Sequence, residues 1–254
     1  MASTQNVLVI GANRGIGLEL ATRFQEKGYT VFGSYRPQTR EDTSILQLKT
    51  RGVNTIELDY TDENSINAAK GFGDRPLSIL VNCAGDLAGV SCSFVSPSPT
   101  LTRTLNSPRD NEGMYYAWDD KPFTEQSADD LLDPFRVNVV GPFLASKAFL
   151  PALEKANDGK GKIINLSLDF ASISDNTGGN ASYRISKAGV NQLTKTMAMD
   201  LTKMRSNVLV LAVHPGYVAT KMTHFYGEDD MQTCVSSLAN SIIKFGTVHD
   251  GKYM

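Results

Sequence analysis

Tyr183 and Lys187 are the residues whose types and spacing are best suited to acid catalysis. They lie four residues apart in a segment, 181–204, whose apolar pattern predicts a helix, so both side chains face the same side. A free tyrosine has a pKa of about 10, which is high for proton exchange at neutral pH. A lysine charge one turn away lowers that pKa because it stabilises the phenolate. The pair suits protonation of an oxygen during carbonyl reduction, although such a pair is more often an incidental feature of a helix surface.

A glycine-rich turn near the start of the chain is the second candidate site. Residues 7–10 predict a buried strand, and Gly11, Gly15 and Gly17 follow before a helical pattern at 15–27. Glycines at these points permit a tight turn, close approach of a pyrophosphate and close packing of the helix on the sheet. The N–H groups that begin the helix then face the phosphates. This order of strand, turn and helix predicts a dinucleotide site.

Two arginines indicate which dinucleotide is bound. An NAD enzyme usually has an acid at the end of the second strand, where it binds the ribose 2′-hydroxyl. This chain has Arg36 there, and Arg14 lies inside the glycine turn. Two guanidinium groups suit a 2′-phosphate, so we predict NADPH/NADP+ as the cofactor. The alternative is that one arginine is only a solvated surface charge.

Short apolar strands alternate with helical patterns along the chain. The strand candidates are 7–10, 29–34, 53–58, 77–81, 161–167 and 206–213, and the helical patterns are 15–27, 41–51, 62–71, 127–154, 181–204 and 228–245. Strands that are apolar throughout are typical of parallel sheets covered on both faces. The sequence therefore predicts an α/β fold with a doubly wound parallel sheet of the Rossmann type, in a single domain over 1–254.

Several further motifs follow the glycine turn in a fixed order, at 58–62, 81–85, 137–141, 183–187 and 214–220. Together with the spacing of Gly11, Gly15 and Gly17, they resemble the short-chain dehydrogenase/reductase family, although Ile10 replaces its usual Thr. The segments 176–179 and 183–187 are most similar to the C-factor/sniffer-like branch of its carbonyl reductases.

The resemblance implies a role for each motif. Asp59 would bind the adenine amino group, Lys187 would also hold the nicotinamide ribose, and Asn138 would hold a water in a proton relay. With the glycine turn and the two arginines, the predicted cofactor-binding residues are Gly11, Asn13, Arg14, Gly15, Ile16, Gly17, Arg36, Asp59, Tyr60, Asn82, Ala84, Gly85, Tyr183, Lys187, Pro215, Gly216, Val218 and Thr220.

One position departs from the family pattern. The family reads N-x-S-S after the fifth strand, and aligning Asn165 and Ser167 with it places Leu168 where the catalytic serine belongs. Leucine cannot donate a hydrogen bond, and losing an oxyanion donor typically lowers the rate on the order of 10²–10³-fold. Ser167 could rotate in, Ser172 could serve from the loop, or Asp169 could occupy the place with a different task.

Asp169 suggests a different substrate. An ionised carboxylate repels a developing alkoxide but favours a substrate that starts as a cation, such as an iminium. Arg136 could tether that carboxylate, and fungal-alkaloid reductases of this fold that assist a cycloaddition are similar in using charged groups. The alternative is that Asp169 caps the strand end and Arg136 is a solvated helix charge.

Composition limits the class of partner. Lys and Arg number 25 against 27 Asp and Glu, a formal net charge of −2, which predicts no nucleic-acid or membrane partner. Three cysteines and three histidines are widely spaced, which predicts reduced thiols in a cytoplasmic protein and no metal site.

The segment 88–112 interrupts the alternation. It is rich in Ser, Thr, Pro and Asn, and the aromatic residues Tyr115, Tyr116, Trp118 and Phe123 follow it. A connection of this length is usually a lid or an insertion, so 86–124 is interpreted as one of the two. In a lid, one of these aromatic residues would pack over the substrate.

The combined prediction is an NADPH-dependent oxidoreductase that reduces a C=O or C=N bond of a small organic molecule, with biosynthesis of a secondary metabolite as one setting. Its predicted catalytic residues are Tyr183, Lys187, Asn138, Ser167, Asp169 and Arg136. One alternative is an iminium reductase that also assists a cyclisation through Asp169 and Arg136. Another is a non-catalytic NADPH sensor. The resemblance also predicts a homo-oligomer, a dimer or tetramer built on the long helices.

Overall fold

A parallel sheet forms the centre of the protein. The computed structural model describes residues 5–69, 75–85, 123–223 and 225–254. In this part of the chain six parallel strands pair in the order β3-β2-β1-β4-β5-β6. They are β1 (Asn6–Ile10), β2 (Thr30–Tyr35), β3 (Asn54–Glu57), β4 (Ile79–Asn82), β5 (Lys162–Leu166) and β6 (Leu209–Val213). The predicted doubly wound Rossmann-type sheet is confirmed.

The strands are apolar throughout because both faces of the sheet are covered. Successive residues of a strand point to opposite faces. In β1, Val7 and Val9 join a buried cluster with Phe24, whereas Leu8 and Ile10 join a second cluster on the other face. An alternating polar pattern would leave polar side chains inside one of these two clusters.

Seven helices in the described residues cover the sheet. They are α1 (Gly15–Glu26), α2 (Thr43–Thr50), α3 (Glu63–Ala69), α4 (Ala128–Phe135), α5 (Gly141–Leu153), α6 (Ala181–Lys203) and α7 (Met231–Lys244). Among these described helices, none is both long and apolar enough to cross a membrane.

The single helix predicted over 127–154 is wrong, because a π-helical turn, Arg136–Val140, separates α4 from α5. The Gly141 N–H donates to the Arg136 carbonyl, five residues back. Pro142 explains the change, since it has no N–H for the carbonyl of Asn138 and its ring would clash with that carbonyl in a regular helix. The wider turn places Asn138 in the interior, where it is buried.

Buried polar side chains connect the carboxyl ends of the strands. The Tyr60 hydroxyl donates to Asn82 Oδ1 over 2.6 Å, and Asn82 Nδ2 donates to Asn165 Oδ1 over 2.7 Å. Asn165 Nδ2 then donates to Thr194 Oγ1 in α6 over 2.9 Å. Because buried polar groups are costly when unpaired, this chain of bonds holds α6 in one position against β4 and β5.

The predicted lid at 86–124 lies almost wholly outside the described residues, and so do Tyr115, Tyr116 and Trp118. Phe123 is described, and its side chain is exposed.

Asn82→Ala should destabilise the fold, because it leaves the Tyr60 hydroxyl and the Asn165 carboxamide without their partner. We expect the free energy of unfolding to fall by about 3 kcal/mol in urea titrations. Asn67→Ala, on the exposed surface of α3, is the matched control and should change it by less than about 0.5 kcal/mol. Equal stabilities for the two variants would contradict the role given to the network.

Candidate active site

Helix α6 carries Tyr183 and Lys187, the two residues predicted to act in acid catalysis. Gly178, Gly179 and Asn180 precede it with positive φ values of 88°, 73° and 49°. Glycine and, less readily, asparagine tolerate this left-handed conformation. α6 begins at residue 181, directly after these three left-handed residues. Tyr183 therefore lies in its first turn and Lys187 one turn later.

Lys187 is buried and makes a contact with the end of the sheet. Its Nζ donates to the carbonyl of Leu166, the last residue of β5, over 2.9 Å and lies 5.6 Å from the centre of the Tyr183 ring. Burial lowers the pKa of Lys187 from 10.5 to about 8. Cys83 would oppose that shift if ionised, but burial raises the pKa of its thiol to about 12. Cys83 therefore supplies no charge to the site at neutral pH.

Asn138 reaches the same place from the π-helical turn. Its Nδ2 donates to Ser186 Oγ in α6 over 2.9 Å. A methyl group added to Gly85 would lie 3.5 Å from Asn138 Oδ1 and 3.9 Å from Lys187 Nζ. The amide oxygen and the ammonium group therefore face a common point beside Gly85, at the end of β4.

The segment after β5 carries the departure from the family pattern. Ser167 is 2% exposed, and its Oγ has no hydrogen-bond partner among the described residues. Leu168 is half-buried in extended conformation, with φ −162° and ψ 174°. Asp169 is exposed, and its Oδ1 accepts the N–H of Phe170 over 2.9 Å.

The other predicted polar residues of this region do not meet. Arg136 is exposed and lies 3.8 Å from Asp133, and no contact joins it to Asp169 in the described part of the chain. Ser172 Oγ donates to Asp175 Oδ2 over 2.8 Å, so its proton is already used in a hydrogen bond within its own loop. Of the three replacements considered for the missing serine, Ser167 is the one with an unpaired hydroxyl.

The glycine turn has the geometry that a pyrophosphate requires. A Cβ on Gly11 would lie 2.7 Å from Ala84, and one on Gly17 would overlap the Gly11 carbonyl, so neither position accepts a side chain. Arg14, at the N-terminal cap of α1, makes no side-chain cap bond. The helix start thus presents its N–H groups at the point where β1 lies between β2 and β4, and the residues present fit a dinucleotide.

The residues predicted for the adenosine end differ in what their side chains do. Arg36 is exposed, and Asp59 Oδ1 accepts the N–H and hydroxyl of Thr61 at 2.9 and 2.7 Å. Burial raises the pKa of Asp59, but the bonds from Thr61 and Gln38 and the charge of Arg36 together outweigh it, so the pKa lies below its usual value. Tyr60 and Asn82 bond to each other beneath the sheet edge, so their side chains serve the buried network.

The segment after β6 closes the other side of the glycine turn. A Cβ on Gly15 would lie 3.6 Å from the side chain of Thr220, so the two loops face each other closely. Gly216 has a φ of 90°, and Val218 is buried, which fixes the path of the chain between Pro215 and Thr220. In the described residues no three His, Cys, Asp or Glu side chains are grouped to hold a metal ion.

Two buried polar residues of α6 were not singled out from the sequence. Arg184 Nε donates to the Gly179 carbonyl over 3.0 Å, and its guanidinium carbon lies 4.4 Å from the centre of the Phe170 ring. Ser186 is fully buried between Tyr183 and Lys187. The sequence shows that Arg184 and Ser186 lie between Tyr183 and Lys187. It does not show that they are buried, because their burial depends on partners that are distant in the sequence.

The glycine turn after β1 fits a dinucleotide, and Lys187 of α6 reaches the end of β5 beside Tyr183. On a Rossmann sheet, these two features together define a nicotinamide-dependent oxidoreductase. The family model for short chain dehydrogenases matches residues 5–231, and this chain belongs to that family. This result confirms the predicted family and the predicted enzyme class.

Known relatives and structures support this assignment. The chain is 28% identical to 3-oxoacyl-acyl-carrier-protein reductase of Staphylococcus aureus over 285 residues, covering 100% of both. It is 27% identical to mouse retinol dehydrogenase 5 over 248 residues, covering 95% of this chain and 65% of that one. NADPH-bound carbonyl reductase from chicken fatty liver has a TM-score of 0.77 at 25% identity, covering 99% of this chain and 96% of that one. The Sniffer carbonyl reductase of Drosophila melanogaster has the same TM-score, identity and coverage.

Lys187→Met should reveal the low pKa of the lysine in the cofactor-free protein. Between the folded pKa of about 8 and the ordinary value of 10.5, the unfolded chain binds more protons, so the lysine's contribution to stability rises with pH. We expect wild-type protein to gain roughly 2 kcal/mol of unfolding free energy relative to the variant between about pH 7.5 and pH 10.

Urea titrations at a series of pH values measure this difference. Lys203→Met, at the exposed end of the same helix, should show no such change. A difference between wild type and Lys187→Met that is constant with pH would contradict the lowered pKa.

Proposed function

We propose that this short-chain dehydrogenase uses NADPH to reduce a C=O or C=N bond of a small organic molecule. The observation that carries the proposal is the position of Tyr183 beside a buried lysine whose pKa is about 8. A tyrosine of ordinary pKa exchanges its proton slowly at neutral pH, and a neighbouring positive charge stabilises the phenolate that proton donation leaves.

The chain is an NADPH-dependent oxidoreductase. Structural neighbours include a carbonyl reductase described as bound to NADPH, and Arg14 and Arg36 are both exposed at the glycine-turn end of the sheet. A 2′-phosphate would be held there by charge-assisted hydrogen bonds. Gly11, Gly15 and Gly17 would hold the pyrophosphate, and the segment Pro215–Thr220 would lie beside the nicotinamide.

Bound NADPH supplies the hydride. Tyr183 gives its hydroxyl proton to the oxygen on which negative charge develops, and the nearby ammonium group of Lys187 favours the phenolate that remains. An ammonium group with a pKa near 8 is still mostly protonated at pH 7. Asn138 supports the return of the proton to Tyr183 by holding a water, the role that the family resemblance implies.

Ser167 is the residue that we assign to orienting the substrate oxygen. Leu168 cannot donate a hydrogen bond, whereas the Ser167 hydroxyl has no partner in the part of the chain that the structure describes. An unpaired buried hydroxyl costs about 1–3 kcal/mol, so a substrate that accepted its proton would remove that cost. The hydroxyl must turn toward the cleft to do so, because its oxygen is buried.

An iminium substrate is the second candidate, and the exposed carboxylate of Asp169 beside an apolar Leu168 favours it. Hydride addition neutralises an iminium without a proton, so Tyr183 would not be needed. Assistance to a cyclisation would then rest on Asp169, because Arg136 pairs with Asp133 instead. A non-catalytic NADPH sensor is the third candidate, and the presence of Tyr183, Lys187 and Asn138 counts against it.

A homo-oligomer remains our prediction, and exposed apolar side chains on the long helices support it. Phe143 in α5 and Ile185 in α6 are 45% and 51% exposed. The cytoplasmic location and a role in biosynthesis also stay predictions.

Arg36→Asp should remove most of the preference for NADPH over NADH, because a carboxylate repels the 2′-phosphate and accepts a 2′-hydroxyl. We expect wild-type protein to bind NADPH at least tenfold more tightly than NADH, a difference of about 1.4 kcal/mol, and the variant to lose most of it. Titration calorimetry measures both dissociation constants. Arg205→Asp, exposed beyond α6, is the matched control, and equal affinities in wild-type protein would disprove the cofactor preference.

Tyr183→Phe and Asp169→Asn separate the two enzymatic candidates. If Tyr183 donates the proton, Tyr183→Phe should lower kcat on the order of 10²-fold or more, Asp169→Asn should have little effect, and activity should decline as pH rises. Steady-state kinetics with aldehydes, diketones and cyclic iminium ions measure this. Collapse of Asp169→Asn with full activity of Tyr183→Phe, and loss of rate at low pH, would establish the iminium reading. Tight NADPH binding without any turnover would establish the sensor.

A further inference from the structure

Ser186 lies inside the catalytic helix but has no role in the function described so far. It is 0% exposed, three residues after Tyr183 and directly before Lys187. Its Oγ donates to the Tyr183 carbonyl over 2.8 Å and accepts from Asn138 Nδ2 over 2.9 Å. The hydroxyl therefore joins α6 to the π-helical turn at the catalytic residues themselves.

The first of these bonds determines the direction of the second. A serine hydroxyl has one proton and two lone pairs. Because the proton of Ser186 is given to the Tyr183 carbonyl, Ser186 Oγ can only accept from a further neighbour. Asn138 must then turn its NH₂ group toward Ser186, since its Oδ1 would meet a lone pair there.

The opposite end of the same amide faces Gly85, after the end of β4. Asn138 Oδ1 lies 3.5 Å from the position of a Cβ on Gly85, and Lys187 Nζ lies 3.9 Å from that position. An acceptor oriented toward this point is attracted by the ammonium group, whereas the NH₂ group would be repelled. Reversing the amide would therefore replace an acceptor with a donor at the point that the ammonium group also approaches.

We propose that Ser186 is a positioning residue that fixes the orientation of the Asn138 carboxamide and so keeps its oxygen directed at the point beside Gly85 that Lys187 Nζ also approaches. It acts through Asn138 and touches neither substrate nor cofactor. The inference rests on the proposed function, in which Tyr183, Lys187 and Asn138 transfer the proton, and deepens it by assigning a fourth residue to that site.

Kinetics of a double-mutant cycle test the proposal. Ser186→Ala should lower kcat about tenfold while the dissociation constant for NADPH changes by less than about twofold. In an Asn138→Ala background, Ser186→Ala should cause no further loss of kcat, and Ser186→Thr should retain most of the wild-type rate. A full additional loss in that background, or a loss of NADPH affinity with unchanged kcat, would overturn it.

Ser236→Ala is the matched control for the loss of a helical hydroxyl. Ser236 Oγ also donates to a carbonyl of its own helix, that of Gln232 in α7 over 2.6 Å, but it is half-buried and lies outside the catalytic helix. This variant should keep wild-type kcat. An equal loss of kcat in Ser236→Ala and Ser186→Ala would overturn the positioning role.

A second measurement does not depend on turnover. In ¹⁵N-labelled protein, the side-chain NH₂ of Asn138 should be protected from solvent exchange, and Ser186→Ala should abolish that protection while backbone amides of α6 keep theirs. An unprotected NH₂ in wild-type protein would overturn the inference. If wild-type protein binds NADPH but reduces no substrate, the proposed function fails, and this measurement alone decides whether Ser186 orients Asn138.

Discussion

The burial of the Lys187 ammonium at the end of β5 is the constraint on which the rest of the site depends. A charge removed from water costs several kcal/mol unless other groups replace the water. The Leu166 carbonyl supplies one bond over 2.9 Å, and burial still lowers the pKa to about 8. Such a group stays in place only if α6 cannot move away from the sheet, and the bond from Asn165 to Thr194 opposes that movement.

The cofactor half of the site is largely readable from the sequence, because it is made of backbone. Gly11 and Gly17 occupy positions where a Cβ would meet Ala84 or the Gly11 carbonyl, so their spacing directly reports the turn. The buried strands were also predictable, because a sheet covered on both faces requires apolar residues at every position. Side-chain roles at this end were less predictable, since Tyr60 and Asn82 look like cofactor residues in a motif but bond to each other.

The chemical half depends on contacts between distant residues, and local patterns do not reveal them. Asn138 and Ser186 are 48 residues apart, and nothing in either segment predicts that an amide of one turns toward a hydroxyl of the other. The π-helical turn did have a local signal in Pro142, but the apolar period of 127–154 continues through it and suggested one helix. Pro142, four residues after Asn138, thus indicates the end of the regular helix better than the apolar pattern around it does.

The contacts of Asp169 and Arg136 limit how an iminium substrate could be recognised. Arg136 pairs with Asp133, so within the described residues it gives Asp169 no support in stabilising the cation. Its carboxylate is exposed, and water screens an exposed charge strongly, so its effect would depend on a substrate that excludes water on binding. Proton donation by Tyr183 has no such requirement, because Lys187 and Ser186 are already buried beside it before any substrate arrives. Carbonyl reduction with proton donation by Tyr183 therefore requires fewer conditions than iminium reduction, because it uses groups that are already buried.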